Sequence, residues 1–221
     1  MFDLFGTLIT SDSDEVAHEA LSKALAEIHA NVFDWEEHMR IYRELVGQGV
    51  SSLDATWEAL LRSLHGTMSE PLVSKAELVR MHTEFHARYA RLRPDAIPAL
   101  KKAREFLDRV GLVTDGDGEI VYAVLEAVGI LKYFDAIVTF NDCHVRKPDP
   151  CLFLTCLRKL SVRPENAVMI GDRCADVEGS TKVGMKAVLL GSSKYCNVKP
   201  HAEANDLLEA VDHALILLGI R

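Results

Sequence analysis

The sequence of 221 residues has few cysteines and no long apolar run, and each absence excludes a class of protein. Its five cysteines contain no Cys-x-x-Cys pair, which argues against a zinc ribbon or a disulfide framework. We therefore expect reduced thiols at Cys143, Cys151, Cys156, Cys174 and Cys196. No stretch approaches the ~18 apolar residues of a membrane span, and no charged-then-apolar leader opens the chain. These features predict a cytoplasmic protein.

An excess of basic residues is also missing. The net charge is −8, so the chain offers no basic footprint for nucleic acid or for an anionic membrane, and we expect neither as a partner. The share of apolar residues is 48% and that of charged residues is 26%, as in ordinary globular proteins with a sizeable core. The composition leaves the oligomeric state open.

The region from 11 to 93 has the apolar spacing of amphipathic helices and no strand signal. One apolar stripe contains Val16, Ala17, Ala20, Leu21, Ala24, Leu25 and Ile28; later stripes contain Leu53, Trp57, Leu60, Leu61 and Leu64, and then Leu78, Phe85, Tyr89 and Leu92. The pattern predicts a small helical bundle.

From Pro94 onward, strand patterns alternate with helix patterns. The predicted strands are 109–114, 136–140, 167–172 and 187–190, and residues 1–5 form the first strand. Such alternation predicts right-handed crossovers and a parallel sheet covered on both faces. The expected spatial order is 136–140, 109–114, 1–5, 167–172, 187–190, which makes the first strand central.

That first strand starts only two residues before Asp3, whereas strands usually run ~5–6 residues. We expect either that the native chain begins further upstream or that the strand is short and the domain is less stable.

Polar side chains follow several of these strands. Asp3, Thr114 and Asp172 come at strand ends, and Lys147 lies in the loop after 136–140. In a parallel sheet, ligands bind beyond the carboxyl ends of the strands. The four side chains therefore define a candidate site.

Four motifs carry these residues: FDLFGTL at 2–8, LVTDG at 112–116, RKPDP at 146–150 and IGDRCAD at 170–176. Their order and spacing resemble the haloacid dehalogenase-like hydrolase superfamily, through nearly the whole chain. The resemblance implies an α/β protein with a Rossmann-like parallel sheet core over 1–10 and 94–221. The inserted α-helical bundle, 11–93, is similar to the superfamily's first cap type.

The resemblance also implies catalytic roles. Asp3 is the expected nucleophile, Thr114 binds the transferred group, and Lys147 neutralises its charge. Substrate contacts are expected at Thr7, Asp115 and Gly116.

The resemblance also implies a Mg²⁺ site at the same place, formed by Asp3, Asp172 and the backbone carbonyl of Phe5. Asp176 is expected to reach the same ion or the waters bound to it. Oxygen ligands of this kind suit Mg²⁺ better than a softer metal. A divalent cation and an ammonium would offset the repulsion between a carboxylate and a phosphoryl group.

Phe5 departs from the superfamily pattern, because phosphatases of this kind usually carry a second aspartate there as general acid and base. The sequence predicts a phosphatase of a small phosphorylated metabolite, slow because general acid–base help is worth ~10²–10⁴-fold. The third and fourth motifs resemble those of archaeal phosphatases of small sugar phosphates or triose phosphates. One alternative is a 2-haloacid dehalogenase, with Arg40 or Arg43 as the required arginine. The other is a non-hydrolytic protein that binds a phosphorylated ligand.

The candidate donors for the missing proton are Asp115, Asp117, His144 and a side chain of the helical cap, and water is a slower substitute. A further motif, HTEFH at 82–86, places two histidines on one helix face but lacks the glutamate of zinc proteases. We expect this pair to be solvated.

Overall fold

The computed structural model describes residues 1–220 and divides the chain into two compact units. Among the described residues, the first unit contains 1–11, 91–115 and 129–220, and the second contains 12–90 and 116–128. Residues 116–128, which the sequence analysis assigned to the sheet core, are thus part of the helical unit.

The second unit consists of five helices: α1 (Ser11–Ile28), α2 (Trp35–Gly47), α3 (Ser52–Leu64), α4 (Lys75–Tyr89) and α6 (Gly118–Ala127). Short polar residues fix where they start. Ser74 accepts a hydrogen bond from the amide of Glu77, whose carboxylate accepts one from the amide of Ser74, so α4 begins with a capping box. Asp34 and Ser51 cap α2 and α3 through side-chain acceptors.

Two apolar clusters stabilise the helical unit. One contains Leu21, Leu25, Leu60 and Leu78, all almost fully buried. The other lies between α2 and α3 and includes Met39, Ile41, Tyr42, Leu45, Ala55 and Ala59. Most of each predicted stripe faces the interior, but Val16, Ile28 and Leu61 are exposed.

The first unit contains the strands β1 (Gly111–Val113), β2 (Ala136–Val138), β3 (Val168–Gly171), β4 (Lys186–Leu190) and β5 (Ala202–Ala204). Its helices are α5 (Ala96–Phe106), α7 (Phe140–Cys143), α8 (Pro150–Leu160), α9 (Cys174–Lys182) and α10 (Leu207–Leu217). Among residues 1–220, no helix is both long enough and apolar enough to cross a membrane.

All the paired strands are parallel, as predicted. β1 pairs with β2, β3 pairs with β4, and β4 pairs with β5. Phe2 joins the two groups because it forms parallel bridges to Leu112 on one side and to Ile170 on the other. The predicted spatial order is confirmed, with β5 as an additional edge strand.

The first strand is shorter than predicted, since residues 1–5 contain only isolated bridges. The predicted strand 136–140 ends at Val138 because Thr139 and Asp142 form a capping box that starts α7. Large apolar residues of the sheet and α8, such as Val113, Met169 and Phe153, form the core of this unit.

The expectation of five reduced thiols is wrong for four of them. Cys143 is joined to Cys151, and Cys174 is joined to Cys196. Cys156 is free and buried against β1, with its Sγ 3.9 Å from the carbonyl oxygen of Leu112. The pairing depends on how α7, α8 and α9 bring distant residues together, which spacing alone does not reveal.

Candidate active site

Asp3 directly follows Phe2, the residue that bridges Leu112 and Ile170 in the centre of the sheet. The side chain of Asp3 is almost completely buried. Its amide donates to the carbonyl of Ile170 at 3.0 Å. A tight turn follows, in which the amides of Leu8 and Ile9 both donate to the carbonyl of Leu4. The sheet therefore fixes the backbone on one side of the carboxylate, and the turn fixes it on the other.

Lys147 connects two of the buried carboxylates. Its Nζ donates to Oδ1 of Asp3 at 2.6 Å and to Oδ1 of Asp176 at 2.6 Å. The carbonyl of Val113 lies 3.3 Å from the same nitrogen. All three charged side chains are excluded from solvent, so these hydrogen bonds are charge-assisted and act at low local dielectric.

Asp172 is positioned by the turn after Asp3. The hydroxyl of Thr7 donates to Oδ1 of Asp172 at 2.8 Å. Gly6 has a φ of +86°, and a Cβ built on it would lie 2.2 Å from Oδ2 of Asp172. Only glycine therefore allows both this backbone conformation and the close approach of the carboxylate.

The electrostatics of the cluster follow from burial. Burial raises the pKa of the Asp3 carboxyl to about 7, although the Lys147 ammonium acts in the opposite direction. Burial lowers the pKa of Lys147, but the carboxylates of Asp176 and Asp3 outweigh this effect and hold the pKa above its ordinary range. Lys147 therefore remains an ammonium, and the carboxylates of the cluster outnumber it.

The donor set fits a hard divalent cation. One carboxylate oxygen each from Asp3, Asp172 and Asp176 lies within 4.8 Å of the others. Oδ2 of Asp3 is buried and has no hydrogen-bond partner among the described residues. A buried carboxylate oxygen without a partner is costly, and a cation bound by these oxygens would remove that cost and balance the excess negative charge.

Asp115 and Arg173 form a link that the sequence analysis missed. Asp115 accepts from the amide of Lys147 at 2.8 Å through Oδ1 and from the guanidinium of Arg173 at 2.7 Å through Oδ2. The amide of Arg173 in turn donates to Oδ2 of Asp176. Asp115 therefore positions the loop that carries Lys147, and its expected contact with substrate remains a prediction. The sequence did contain a sign of this ion pair, because Arg173 is a charged residue inside the fourth motif.

The remaining predicted residues differ in placement. Thr114 is buried directly after β1, and its amide donates to the carbonyl of Val138 at 3.0 Å. Phe5 is half-buried in the turn after Asp3. Gly116 and Asp117 belong to the helical unit, where Asp117 accepts from the amide of Leu53 at 2.8 Å.

The other candidate proton donor, His144, is exposed at the end of α7. The arginines considered for a dehalogenase, Arg40 and Arg43, are exposed on the helical unit and form ion pairs with glutamates there. Arg40 pairs with Glu37 and Glu44, and Arg43 pairs with Glu15. These contacts are those of a solvated helix face.

Cavity volume alone would misplace the site. A cavity of about 790 Å³ in the first unit is lined by Met1, Arg109 and Val168, which lie at the amino ends of the strands. The carboxylate cluster lies at the carboxyl ends, where parallel sheets bind their ligands. Charge and hydrogen bonding therefore identify the site better than volume does.

Comparisons with known proteins identify the family of the chain. The profile of the haloacid dehalogenase-like hydrolases matches residues 1–184. The chain is 33% identical over 205 residues to glyceraldehyde 3-phosphate phosphatase of Methanopyrus kandleri, covering 90% of this chain and 86% of that protein.

Two solved structures share the fold. The phosphatase of this family from Thermococcus onnurineus has a TM-score of 0.72 and 25% identity, covering 96% of this chain and 95% of that one. A 2-haloacid dehalogenase from Pseudomonas syringae has a TM-score of 0.74 and 22% identity, covering 97% and 96%. At that identity the second likeness shows the fold alone. The named sequence relative favours a phosphatase over a dehalogenase.

Proposed function

The chain belongs to the haloacid dehalogenase-like hydrolase family, and from this membership we propose that it is a Mg²⁺-dependent phosphatase of small phosphomonoesters. Asp3 is the nucleophile, and Asp3, Asp172 and the carbonyl of Phe5 would hold the cation. Asp176 is already hydrogen-bonded to Lys147 and to the amide of Arg173, and it would add its negative charge to the same site. When bound, Mg²⁺ would supply positive charge that reduces repulsion between the carboxylate and the phosphoryl group.

The observation that carries this proposal is the asymmetry of the Asp3 carboxylate. Oδ1 is held by Lys147 at 2.6 Å, whereas Oδ2 is buried with no partner among the described residues. One oxygen is thus fixed in orientation, and the other keeps its lone pairs for the cation or for phosphorus. A fixed, dry carboxylate beside an ammonium is suited to nucleophilic attack.

The reaction then proceeds in two displacements. An oxygen of Asp3 attacks phosphorus, the bond from phosphorus to the leaving oxygen breaks, and an aspartyl-phosphate forms. The leaving alkoxide takes a proton from solvent or from a nearby acid. A water oxygen then attacks phosphorus and loses a proton to solvent, while the bond between phosphorus and the Asp3 oxygen breaks. This step releases inorganic phosphate and regenerates the carboxylate. Throughout both steps the ammonium of Lys147 offsets the negative charge, and Thr114 would hydrogen-bond the phosphoryl oxygens.

The substrate class follows from the relatives and not from the site. The Methanopyrus kandleri protein is named for glyceraldehyde 3-phosphate, so a triose phosphate or another small phosphorylated metabolite is the proposed substrate. Because Phe5 has no acidic group, we propose that turnover is slow whenever the leaving group needs a proton.

Phosphate release provides the test. The protein should release inorganic phosphate from glyceraldehyde 3-phosphate or a related phosphomonoester with Mg²⁺, and should stop when the metal is chelated. Asp3→Asn should abolish release, because an amide is a poor nucleophile. Phosphate release that Asp3→Asn leaves unchanged would overturn the proposal.

Phe5 also favours a second candidate, a non-hydrolytic protein that binds a phosphorylated ligand at the same cluster. An aryl phosphate separates the two functions, since its leaving group needs little protonation. Mg²⁺-dependent turnover of an aryl phosphate supports the hydrolase. Ligand binding without any turnover supports the binding protein.

A further inference from the structure

Three histidine side chains meet inside the helical unit, away from the carboxylate cluster in the chain. His18 of α1 and His82 and His86 of α4 are all buried. Their ring centroids are 4.8 Å apart for His18 and His82, 4.4 Å for His18 and His86, and 4.5 Å for His82 and His86. The expectation of a solvated pair at 82 and 86 is therefore wrong, and the rings form one buried cluster.

His82 lacks the partners that a buried imidazole needs. Its side chain has no exposed surface, and neither ring nitrogen has a hydrogen-bond partner among residues 1–220. A neutral imidazole carries one donor and one acceptor, and burying both without partners is unfavourable. Neither ring nitrogen of His82 therefore has a hydrogen-bond donor, a hydrogen-bond acceptor or a cation to offset its burial among the described residues.

One ring nitrogen of His86 also lacks a suitable hydrogen-bond donor. Its Nδ1 lies 2.9 Å from the carbonyl oxygen of His82, so Nδ1 carries the proton and donates it. In the neutral ring, Nε2 then carries a lone pair, yet it faces Oδ1 of Asp14 at 3.2 Å. Two acceptors at this distance require a cation between them, either a second proton or a metal ion. A metal-binding histidine commonly donates its other N–H to a backbone carbonyl, as His86 does.

His18 completes the cluster from the facing helix. Its Nε2 lies 3.7 Å from the same oxygen of Asp14 and 2.6 Å from the hydroxyl of Tyr42. A neutral imidazole has one nitrogen lone pair, and this is the form in which histidine binds a metal ion.

We propose that His18, His82 and His86 bind one divalent transition-metal ion of borderline softness, represented by Zn²⁺, with Asp14 as the fourth ligand. One nitrogen of each ring lies within 4.8 Å of the other two. Tetrahedral zinc with bonds of ~2.0–2.1 Å needs ligand nitrogens about 3.3 Å apart, so the rings must draw inward on binding.

The backbone favours this site. Asp14 and His18 are four residues apart on α1, and His82 and His86 are four residues apart on α4. Residues at this spacing share a helix face, and two such pairs on facing helices are a common way to build a metal site in a helical bundle. Three imidazoles and one carboxylate suit Zn²⁺ and its neighbours, whereas the oxygen-only cluster at Asp3 suits Mg²⁺.

The experiment titrates metal-free, tag-free protein with Zn²⁺ in saturating Mg²⁺, which occupies the carboxylate cluster. Calorimetry should show one Zn²⁺ bound per chain, and the melting temperature should rise with Zn²⁺ and fall back with a chelator. Co²⁺ in place of Zn²⁺ should give the visible absorption of a tetrahedral site. His82→Leu should weaken Zn²⁺ binding by roughly 100-fold or more, since even indirect partners of metal ligands contribute 10–100-fold.

Two comparisons keep the test decisive. Metal-free His82→Leu should melt no lower than the parent, because leucine fills the space without unpaired nitrogens, so lost zinc binding would not reflect misfolding. His65→Gln, at an exposed histidine of the same unit, should bind Zn²⁺ like the parent. No saturable Zn²⁺ binding, or binding that His82→Leu and His86→Gln leave unchanged, would overturn the proposal and leave a protonated His86 beside Asp14.

Discussion

Gly6 and Asp172 approach so closely that no other residue fits at position 6. A Cβ on Gly6 would lie 2.2 Å from Oδ2, 2.6 Å from Cγ and 2.7 Å from Oδ1 of Asp172. The turn after Asp3 and the carboxylate of Asp172 therefore form a single packed unit, although they are far apart in sequence.

Gly6→Ala should displace the Asp172 carboxylate and weaken Mg²⁺ binding. Gly49 is the matched control, because its φ of +91° is similar but nothing lies within 4 Å of its Cβ position. We expect Gly6→Ala to cost about 1–3 kcal/mol more stability than Gly49→Ala, which has only the backbone strain. Calorimetric Mg²⁺ titration and urea unfolding measure the two effects. Equal losses in both variants would mean that the contact with Asp172 has no energetic weight.

Lys147→Met should both stop turnover and destabilise the fold. Removing the ammonium leaves the carboxylates of Asp3 and Asp176 buried without their partner, at a cost of about 3–5 kcal/mol. Lys159→Met is the control, since Lys159 forms an exposed ion pair with Asp142 at 2.8 Å. Exposed pairs are worth ~0–1 kcal/mol. A chemical denaturation series on both variants is the measurement, and a similar small loss in both would contradict this account of the cluster.

Phe5→Asp should increase turnover of alkyl phosphates, by up to ~10²–10⁴-fold if the new carboxylate is well placed. In the parent protein, the rate should depend steeply on the pKa of the leaving group, because the proton must come from solvent or from an acid less well placed than an aspartate at position 5. Rates for a series of alkyl and aryl phosphates provide the measurement, with circular dichroism to confirm folding. If the parent hydrolyses both classes equally fast, another residue already supplies the proton.

Acid should destabilise the helical unit through His38. Burial lowers the pKa of His38 from 6.5 to about 4, while its ring stays hydrogen-bonded to Ser22 and to the carbonyl of Thr56. Between these pH values the unfolded chain binds a proton that the folded chain does not, so the free energy of unfolding falls as the pH falls. The loss should approach about 3 kcal/mol near pH 4.

The measurement is urea unfolding between pH 7 and pH 4 in the presence of a metal chelator. In His38→Gln, the dependence of the unfolding free energy on pH should decrease by the contribution of about one proton, because glutamine can form hydrogen bonds but does not titrate. His65→Gln serves as an exposed control. An unchanged slope in His38→Gln would show that His38 does not titrate as its burial implies.

Reduction should lower stability through the two cross-links of the first unit. They close loops with sequence separations of 8 and 22 residues. A chain-entropy estimate gives about 2.5 and about 3.5 kcal/mol for these loop lengths. Unfolding with and without dithiothreitol, on the parent and on the double variants Cys143→Ser/Cys151→Ser and Cys174→Ser/Cys196→Ser, separates the two. Identical stability of the parent under both conditions would contradict the cross-links.

Much of the fold could be predicted because local chemistry agrees with global topology. The β-branched strands, the turn after Asp3 and the polar residues at strand ends all indicate the same parallel sheet. The early end of β2 was missed although its signal was present, since Thr139 and Asp142 have the spacing of a capping box.

Other parts depend on tertiary contacts that no local pattern encodes. The spacing of His82 and His86 is visible in the sequence, but the approach of His18 from α1 is not. Likewise, Arg173 stands in a recognisable motif, yet its partner Asp115 comes from a different strand end. The cysteine pairs have the same origin, because chain folding and not spacing decides which sulfurs meet.

Phe2 and Asp3 are hydrogen-bonded to both neighbouring segments of the sheet. The amide of Phe2 donates to Gly111, its carbonyl accepts from Val113, and the amide of Asp3 donates to Ile170. Local opening cannot release this segment without breaking bonds on both sides, so its amide protons should exchange with solvent only when the whole sheet opens. We therefore expect Asp3, the proposed nucleophile, to lie on a segment that opens only together with the sheet, so that its position should persist for as long as the sheet stays folded.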